Sequence, residues 1–150
     1  MKFYLLILLF VFFVIVAISV YFKYYLRYVL FKDLVYICKY FKNNISFNKN
    51  NIHQLKCDVS KHISLYSRQI IFSENRNHHL FIHKRDSNII NEFFSSMGRG
   101  DVDFELNNLN YYENNFFETK SNSYEKLNTD GKMYLKLIIG LGLAVCIILI

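Results

Sequence analysis

The chain has 150 residues, a formal net charge of +6, and 53% hydrophobic side chains, with no Trp and no Pro. Its apolar residues are concentrated at the two ends, which favours a membrane protein and argues against most classes of soluble enzyme. The positive charges lie beside the apolar segments, so an anionic lipid surface accounts for them and no nucleic acid is needed.

The amino-terminal apolar segment, Phe3 to Phe22, has twenty residues without a charge. A helix of about 20 residues spans the roughly 30 Å hydrocarbon core of a bilayer. A cleaved signal peptide would have a shorter apolar core and a small-residue cleavage site, whereas bulky residues follow here. We therefore predict an uncleaved transmembrane helix over residues 1–22, with Lys23 and Arg27 extending to the lipid head groups.

Residues 23–132 separate the two apolar ends and contain no Gly before Gly98. This composition predicts a small helical domain, because Gly and Pro usually mark turns and hairpins. Apolar spacing of three and four residues predicts that the first helix continues to about Lys42. An Asn-rich turn at 43–51, helices over about 51–63 and 65–72, and a polar loop over 73–85 are predicted to follow.

A further helix is predicted from Asn88, with Asp86 or Ser87 as its cap. It is predicted to end at Gly98, because glycine commonly takes the left-handed conformation after a helix. Asp101 is predicted to start the last helix.

Acidic residues in the first turns of this last helix interact favourably with the positive end of its dipole. The helix is predicted to continue from the domain into the carboxy-terminal apolar segment. The helix faces flanking Gly98 and this long last helix are the predicted partner surface. The candidate residues are Met97, Gly98, Arg99, Asp101, Glu105 and Glu113.

The carboxy-terminal segment, residues 133–150, is predicted to be the second transmembrane helix. Lys132, Tyr134 and Lys136 lie at its membrane boundary, where lysines extend to the head groups and aromatic rings favour the interface. A terminal helix buried in a protein core, or one that enters a single leaflet, is the alternative. Gly140 and Gly142 are close to the small-residue spacing of packed membrane helices.

Basic residues follow the first apolar segment and precede the second. The positive-inside rule therefore predicts a cytoplasmic middle domain and places both termini across the membrane. The residues concerned are Lys23, Arg27, Lys32, Lys39, Lys42, Lys120, Lys126, Lys132 and Lys136.

The sequence from Met97 to Asp101, followed by a charged helix, resembles the helix junction of the stage III sporulation protein AB family, whose pattern is L-G-x-x-L-G-x-S-D. Lys132-Met133-Tyr134 and the Gly- and Leu-rich end also resemble that family. Two positions depart from its pattern, since Phe94 stands where the family favours Gly and Gly100 where it favours Ser.

The resemblance implies a membrane protein of endospore-forming Firmicutes, in the mother-cell membrane around the forespore. It implies an adaptor with a domain like the platform subunit of type II secretion systems. Such an adaptor would link a cytoplasmic ATPase to other sporulation-complex membrane proteins, without catalysis and without a cofactor. The fold class implied and predicted is an all-α helical bundle flanked by two transmembrane helices.

Two other functions are open. One is a two-span membrane scaffold unrelated to sporulation. The other is a small membrane-bound accessory enzyme that uses His78, His79 and His83. A metal site there is disfavoured, because neighbouring Lys84 and Arg85 oppose a cation.

Three minor features have simple explanations. Cys38, Cys57 and Cys146 contain no C-x-x-C pair and are expected to be reduced. The tripeptide Arg99-Gly100-Asp101 is interpreted as a helix stop and start. No phosphate loop, zinc helix, nucleophile elbow or paired-carboxylate site is recognisable.

Overall fold

The computed structural model describes residues 2–48, 52–72 and 83–149, and this part of the chain is helical and contains no strand. The predicted all-α fold, with long apolar helices on either side of a helical middle, is confirmed. A π-helical segment, Leu127–Gly131, separates the last two α-helices. The α-helices are α1 (Lys2–Asn48), α2 (Ile52–Ser60), α3 (Leu65–Phe72), α4 (Lys84–Ser96), α5 (Val102–Lys126) and α6 (Lys132–Ile148).

The chain forms two compact units. We call residues 27–121 the domain, and residues 1–26 together with 122–150 the apolar hairpin. The domain lies within the predicted limits 23–132, whose exact ends stay a prediction.

The domain is built around apolar side chains that recur every three or four residues of α1. Leu30, Leu34, Ile37 and Phe41 are each at most 1% exposed, as their helical spacing predicts. An aromatic cluster joins α1 to α4 and α5. Its ring centroids lie 6.0 Å apart for Phe31 and Phe116, 5.3 Å for Phe93 and Phe116, and 5.1 Å for Phe93 and Tyr112.

In the apolar hairpin, the first part of α1 packs antiparallel to α6. Gly142 is buried, and a Cβ atom placed on it would lie 2.8 Å from the Cβ of Phe13. One or two turns further along, the Sγ of Cys146 lies 3.8 Å from the carbonyl oxygen of Leu6. A Cβ atom placed on Gly140 would have no neighbouring atom within 4 Å. Of the two glycines, Gly142 is therefore the one that brings the helices together.

Several helix ends differ from the predictions. The predicted turn at Asn43 and Asn44 is wrong, because α1 continues to Asn48. Within the helix, the Asn44 side-chain amide donates to the carbonyl oxygen of Tyr40 at 2.8 Å. Helix α2 ends at Ser60, earlier than predicted, where the next amides form a tight turn. Ser64 precedes α3, and its backbone amide donates a hydrogen bond to the Asp33 carboxylate at 3.0 Å.

The predicted start of the fourth helix is also wrong. Helix α4 begins at Lys84, so Asp86 and Ser87 lie inside its first turn and neither caps it. Helix α3 spans the predicted residues, and the helical course from Val102 to Ile148 is continuous, as predicted. The parts of the predicted turn and loop that fall at 49–51 and 73–82 lie outside the described residues.

Candidate partner-binding site at the junction of α4 and α5

The junction between α4 and α5 is a short turn that requires glycine. Gly98 has a positive φ of 80°, a conformation that side-chain-bearing residues rarely adopt. The preceding residue, Met97, packs partly buried against the domain core. The predicted helix stop is therefore present, with one side of the turn anchored in apolar contact.

Glu105 holds the turn from the next helix. Its Oε1 accepts hydrogen bonds from the amides of Gly98, Arg99 and Gly100 at 2.7, 3.0 and 3.3 Å. Glu105 is 5% exposed, and its Oε2 has no hydrogen-bond partner within the described part of the chain. Consecutive backbone amides form a concavity that favours an anion, and here the protein's own carboxylate occupies it. This side chain therefore holds the turn from inside the domain.

Asp101 caps α5, as predicted. Its Oδ1 accepts from the amide of Phe104 at 2.9 Å, which satisfies one of the free donors at the helix start. The Phe104 ring lies over Gly100, where a Cβ atom would be 2.4 to 2.8 Å from its side-chain carbons. The Ser favoured by the family pattern at position 100 would collide with Phe104. Gly100, which has no side chain, leaves room for the Phe104 ring. Across the junction, the side-chain amide of Asn108 donates to Ser96 Oγ at 2.9 Å.

The remaining surface of the junction is exposed. Gly98, Arg99, Gly100 and Asp101 are all accessible, whereas Met97 is half-buried. The junction thus presents a basic side chain on a backbone that is already held in place.

Glu113 also acts inside the domain. Its carboxylate lies 3.4 Å from Lys42 Nζ and 4.0 Å from Lys39 Nζ, so it joins α5 to α1. Burial, with a smaller contribution from this carboxylate, raises the pKa of the Cys38 thiol well above its ordinary value. Cys38 is therefore a protonated core residue rather than a nucleophile.

The structure adds an ion pair that the sequence did not indicate. Arg27 donates to both carboxylate oxygens of Asp86, with Nε to Oδ2 at 2.7 Å and Nη2 to Oδ1 at 3.0 Å. Asp86 is 4% exposed. We expected Arg27 to extend to the head groups and Asp86 to cap a helix, but they hold α1 to α4. The two residues are 59 positions apart, so no local pattern could reveal the pair.

The other predicted boundary residues lie in the apolar hairpin. Lys23, Lys132 and Lys136 are exposed. The rings of Tyr24 and Tyr134 stack with centroids 6.5 Å apart and an interplanar angle of 16°. Charged and aromatic side chains thus occur together at one end of the apolar segments, as at a membrane interface.

The described residues contain no group of three or more His, Cys, Asp or Glu side chains that could hold a metal ion. His83 is exposed just before α4, and His78 and His79 lie outside the described residues. Within the described residues, the cysteines are free thiols: Cys38 is buried, Cys57 is exposed and Cys146 is intermediate.

The fold and the junction define a helical protein with two helices long and apolar enough to cross a membrane. The family model of stage III sporulation protein AB matches residues 67–150, which is more than half of the chain. The chain therefore belongs to the stage III sporulation protein AB family, and the predicted resemblance is confirmed. The family serves sporulation and is not a known enzyme family. No curated protein and no solved structure matches the chain.

Proposed function

We propose that this chain is a non-catalytic adaptor subunit of a channel-like sporulation complex. In this role, two membrane helices hold the helical domain on the cytoplasmic face of the mother-cell membrane around the forespore. The domain links a cytoplasmic ATPase to the other membrane subunits. Family membership is the observation that carries the sporulation role.

The junction supports the binding role. Binding that orders a loop costs conformational entropy, so a loop that is already fixed binds at lower cost. Glu105 fixes this turn through three amide hydrogen bonds and leaves Arg99 exposed. Arginine is enriched among the residues that dominate interface energies. Arg99 is therefore the side chain of the junction that we expect to contact the ATPase.

Binding is tested with the full-length chain in detergent and the sporulation ATPase encoded beside it. Arg99→Ala should weaken co-purification and raise the dissociation constant about tenfold, equivalent to about 1.4 kcal/mol. Arg68→Ala is the matched control, since Arg68 is an exposed arginine of α3 in the same domain. Equal loss in both variants, or in neither, would contradict a contact at the junction.

The biological role is tested by gene disruption. Cells that lack the chain should stop spore formation after engulfment, and normal sporulation would exclude this role. The outcome also separates the adaptor from a scaffold unrelated to sporulation. Replacing His79 and His83 by Ala should leave spore yield unchanged, whereas loss of an enzymatic activity would favour the accessory enzyme.

Membrane orientation is tested by fusing alkaline phosphatase after Ile150. Phosphatase activity is expected only if this end lies across the membrane from the cytoplasm. An inactive fusion, with activity gained when the enzyme is placed in the middle domain, would reverse the proposed topology.

A further inference from the structure

The first turn of α4 is fixed to α1 by the ion pair between Arg27 and Asp86. Arg27 donates to both carboxylate oxygens of Asp86, at 2.7 and 3.0 Å. Asp86 is 4% exposed and belongs to the first turn of α4. Bidentate pairs of arginine and carboxylate are strong and directional. The first turn of α4 therefore lies level with Arg27 on α1.

The position of Arg27 relative to a membrane follows from α1 itself. This helix is continuous from Lys2 to Asn48, and Arg27 comes five residues after Phe22, the last residue of the apolar segment. Five residues rise roughly 7.5 Å along a helix axis. The head-group layer on each side of the hydrocarbon core is about 5 to 8 Å thick. When the apolar segment spans the bilayer, Arg27 and the first turn of α4 lie at the level of the head groups.

Helix α4 leads away from that level. The Phe116 ring contacts Phe31 of α1 and Phe93 of α4, with centroids 6.0 and 5.3 Å apart. Phe31 lies four residues beyond Arg27, and Phe93 lies seven residues beyond Asp86. The two helices therefore run in the same direction from their ion pair. Only the start of α4 is close to the head groups.

The start of α4 is basic. Lys84 and Arg85 directly precede Asp86, and both are exposed. Within the described residues, neither side chain has an ion-pair partner. The next acid on α4 is Glu92, which lies about 10 Å further along the helix axis than Arg85. The positive charge of this turn is therefore available to an external anion.

Helix α5 brings a third basic residue to the same end of the domain. It runs antiparallel to α4, because Asn108 bonds to Ser96 at 2.9 Å whereas Phe116, further along α5, meets the earlier residue Phe93. Lys120 lies one turn beyond Phe116. It is therefore at the end of the domain where α4 begins.

Lys120 lies beside an exposed aromatic ring. Its Nζ is 5.0 Å from the centroid of Phe117, which is 56% exposed. Aromatic and basic side chains occur together at membrane interfaces. Glu118 is an exposed acid nearby, but Lys84, Arg85 and Lys120 outnumber it. We call these three basic residues the basic end of the domain.

We propose that the basic end binds the phosphate groups of anionic lipids such as phosphatidylglycerol. Arginine and lysine both bind phosphate, and each basic residue near an anionic membrane surface adds to the attraction. The occupant follows from position, because lipid phosphates are the anions at the level of the head groups. Arg27 acts as a positioning residue, since its pair with Asp86 places Lys84 and Arg85 there.

The lipid contact is separate from the ATPase contact proposed for Arg99. Arg99 follows the last residue of α4, Ser96, whereas Lys84 is the first residue of that helix. The lipid contact ties the domain to the bilayer in addition to the two apolar segments. Loss of one contact is therefore expected to leave the other intact.

A dye on α4 measures which lipids surround the basic end. Asn88 is exposed one turn after Lys84, so Asn88→Cys is labelled in the full-length chain. The background carries Cys57→Ser and Cys146→Ser, and Cys38 is buried. The chain is reconstituted in phosphatidylcholine vesicles that contain equal small fractions of nitroxide-labelled phosphatidylglycerol or nitroxide-labelled phosphatidylcholine. The ratio of quenching by the two lipids gives the local enrichment of phosphatidylglycerol.

The wild-type quenching ratio should be about three, and Lys84→Gln/Arg85→Gln should lower it to near one. Lys120→Gln should lower it less. The matched control Lys32→Gln/Arg68→Gln also removes an exposed lysine and an exposed arginine, on α1 and α3, and should leave the ratio unchanged. The exchanged variant Lys84→Arg/Arg85→Lys keeps both charges and should keep the enrichment, which separates loss of charge from a disturbed fold.

Three results would overturn the proposal. One is a wild-type ratio of one, and if Lys84→Gln/Arg85→Gln then also loses the ATPase, the basic end binds the protein partner. Another is a ratio that the same variant leaves unchanged. The third is loss of enrichment when inorganic phosphate replaces chloride at constant ionic strength, which would identify free phosphate as the ligand. Raising NaCl from about 0.1 to about 1 M should lower the wild-type ratio, because salt screens exposed charges.

Discussion

The domain and the apolar hairpin use the same residue types in opposite ways. In the domain, Phe31 and Phe93 are fully buried, whereas in the hairpin Leu8 is 72% exposed and Phe12 61% exposed. Water drives apolar side chains into a core. A lipid environment does not, because its tails are as apolar as the side chains. The domain thus buries its apolar side chains as expected in water, whereas the exposed apolar side chains of the hairpin suit a lipid environment.

The units also hold their helices together by different means. The domain uses interlocking aromatic rings and ion pairs such as Arg27 with Asp86. The hairpin uses close approach at a glycine, where Phe13 lies against Gly142. Substitutions in each unit test this contrast.

Phe93→Ala should destabilise the domain by about 4 kcal/mol, because it removes a fully buried ring and leaves a cavity. The measurement is chemical denaturation of the full chain in detergent. Phe12→Ala in the hairpin is the matched control and should change the unfolding free energy by less than about 1 kcal/mol. Similar losses in the two variants would remove the distinction between the units.

Gly142→Leu should destabilise the hairpin by roughly 2 kcal/mol, because the new side chain would meet Phe13 and force the helices apart. Thermal unfolding in detergent measures the effect. Gly140→Leu, where nothing lies within 4 Å of the added Cβ, should be close to neutral. A larger loss at position 140 would contradict the packing described for α6.

Glu105→Gln should lower the unfolding free energy by about 1.5 kcal/mol, because hydrogen bonds to a charged acceptor are stronger than those to an amide. Hydrogen exchange of the amides at 98–100 should accelerate more than exchange elsewhere in α5. Asp103→Asn, an exposed neighbour on the same helix, is the control and should leave these amides protected. Unchanged protection in the Glu105 variant would show that its carboxylate does not hold the turn.

Thiol reactivity should differ between the exposed and the buried cysteine, and the effect of the buried thiol on stability is expected to be the smallest of these changes. Cys57 should react with a water-soluble maleimide at pH 8, whereas Cys38 should stay unmodified until the domain unfolds, because burial keeps it protonated. The pKa of Cys38 is higher in the folded chain than its ordinary value of 9.0. The contribution of the Cys38 thiol to stability is thus complete below about pH 9 and is lost as the pH rises further. Cys38→Ser should therefore reduce the loss of stability above pH 9.

Mass spectrometry of labelled peptides measures the reactivity of the two thiols.

Patterns that depend on neighbouring residues were readable from the sequence. The spacing of Leu30, Leu34, Ile37 and Phe41 predicted the buried face of α1, and Gly98 with Asp101 predicted the junction. The predictions were wrong where contacts between residues far apart in the sequence determine the role of a side chain. Asp86 resembles a helix cap locally, but it lies inside the first turn of α4 and pairs with Arg27, which is 59 positions away.

The candidate site shows the same division. The sequence named candidate residues, and their part in partner binding stays a prediction. Glu105 and Glu113 were predicted as partner contacts, whereas the structure shows Glu105 occupied by the turn and Glu113 by lysines of α1. Whether a carboxylate is free for a partner depends on donors from other segments, and a linear pattern does not contain that information.

By itself, the sequence determined the helical class, the two apolar segments, the junction and the family, because these follow from local composition, spacing and short motifs. Tertiary structure decided which charges are used inside the domain and which remain exposed. It also decided which of the two glycines in α6 brings helices together. The physical reason is that burial and pairing depend on distances between residues that are remote in the chain, and only the folded chain sets those distances.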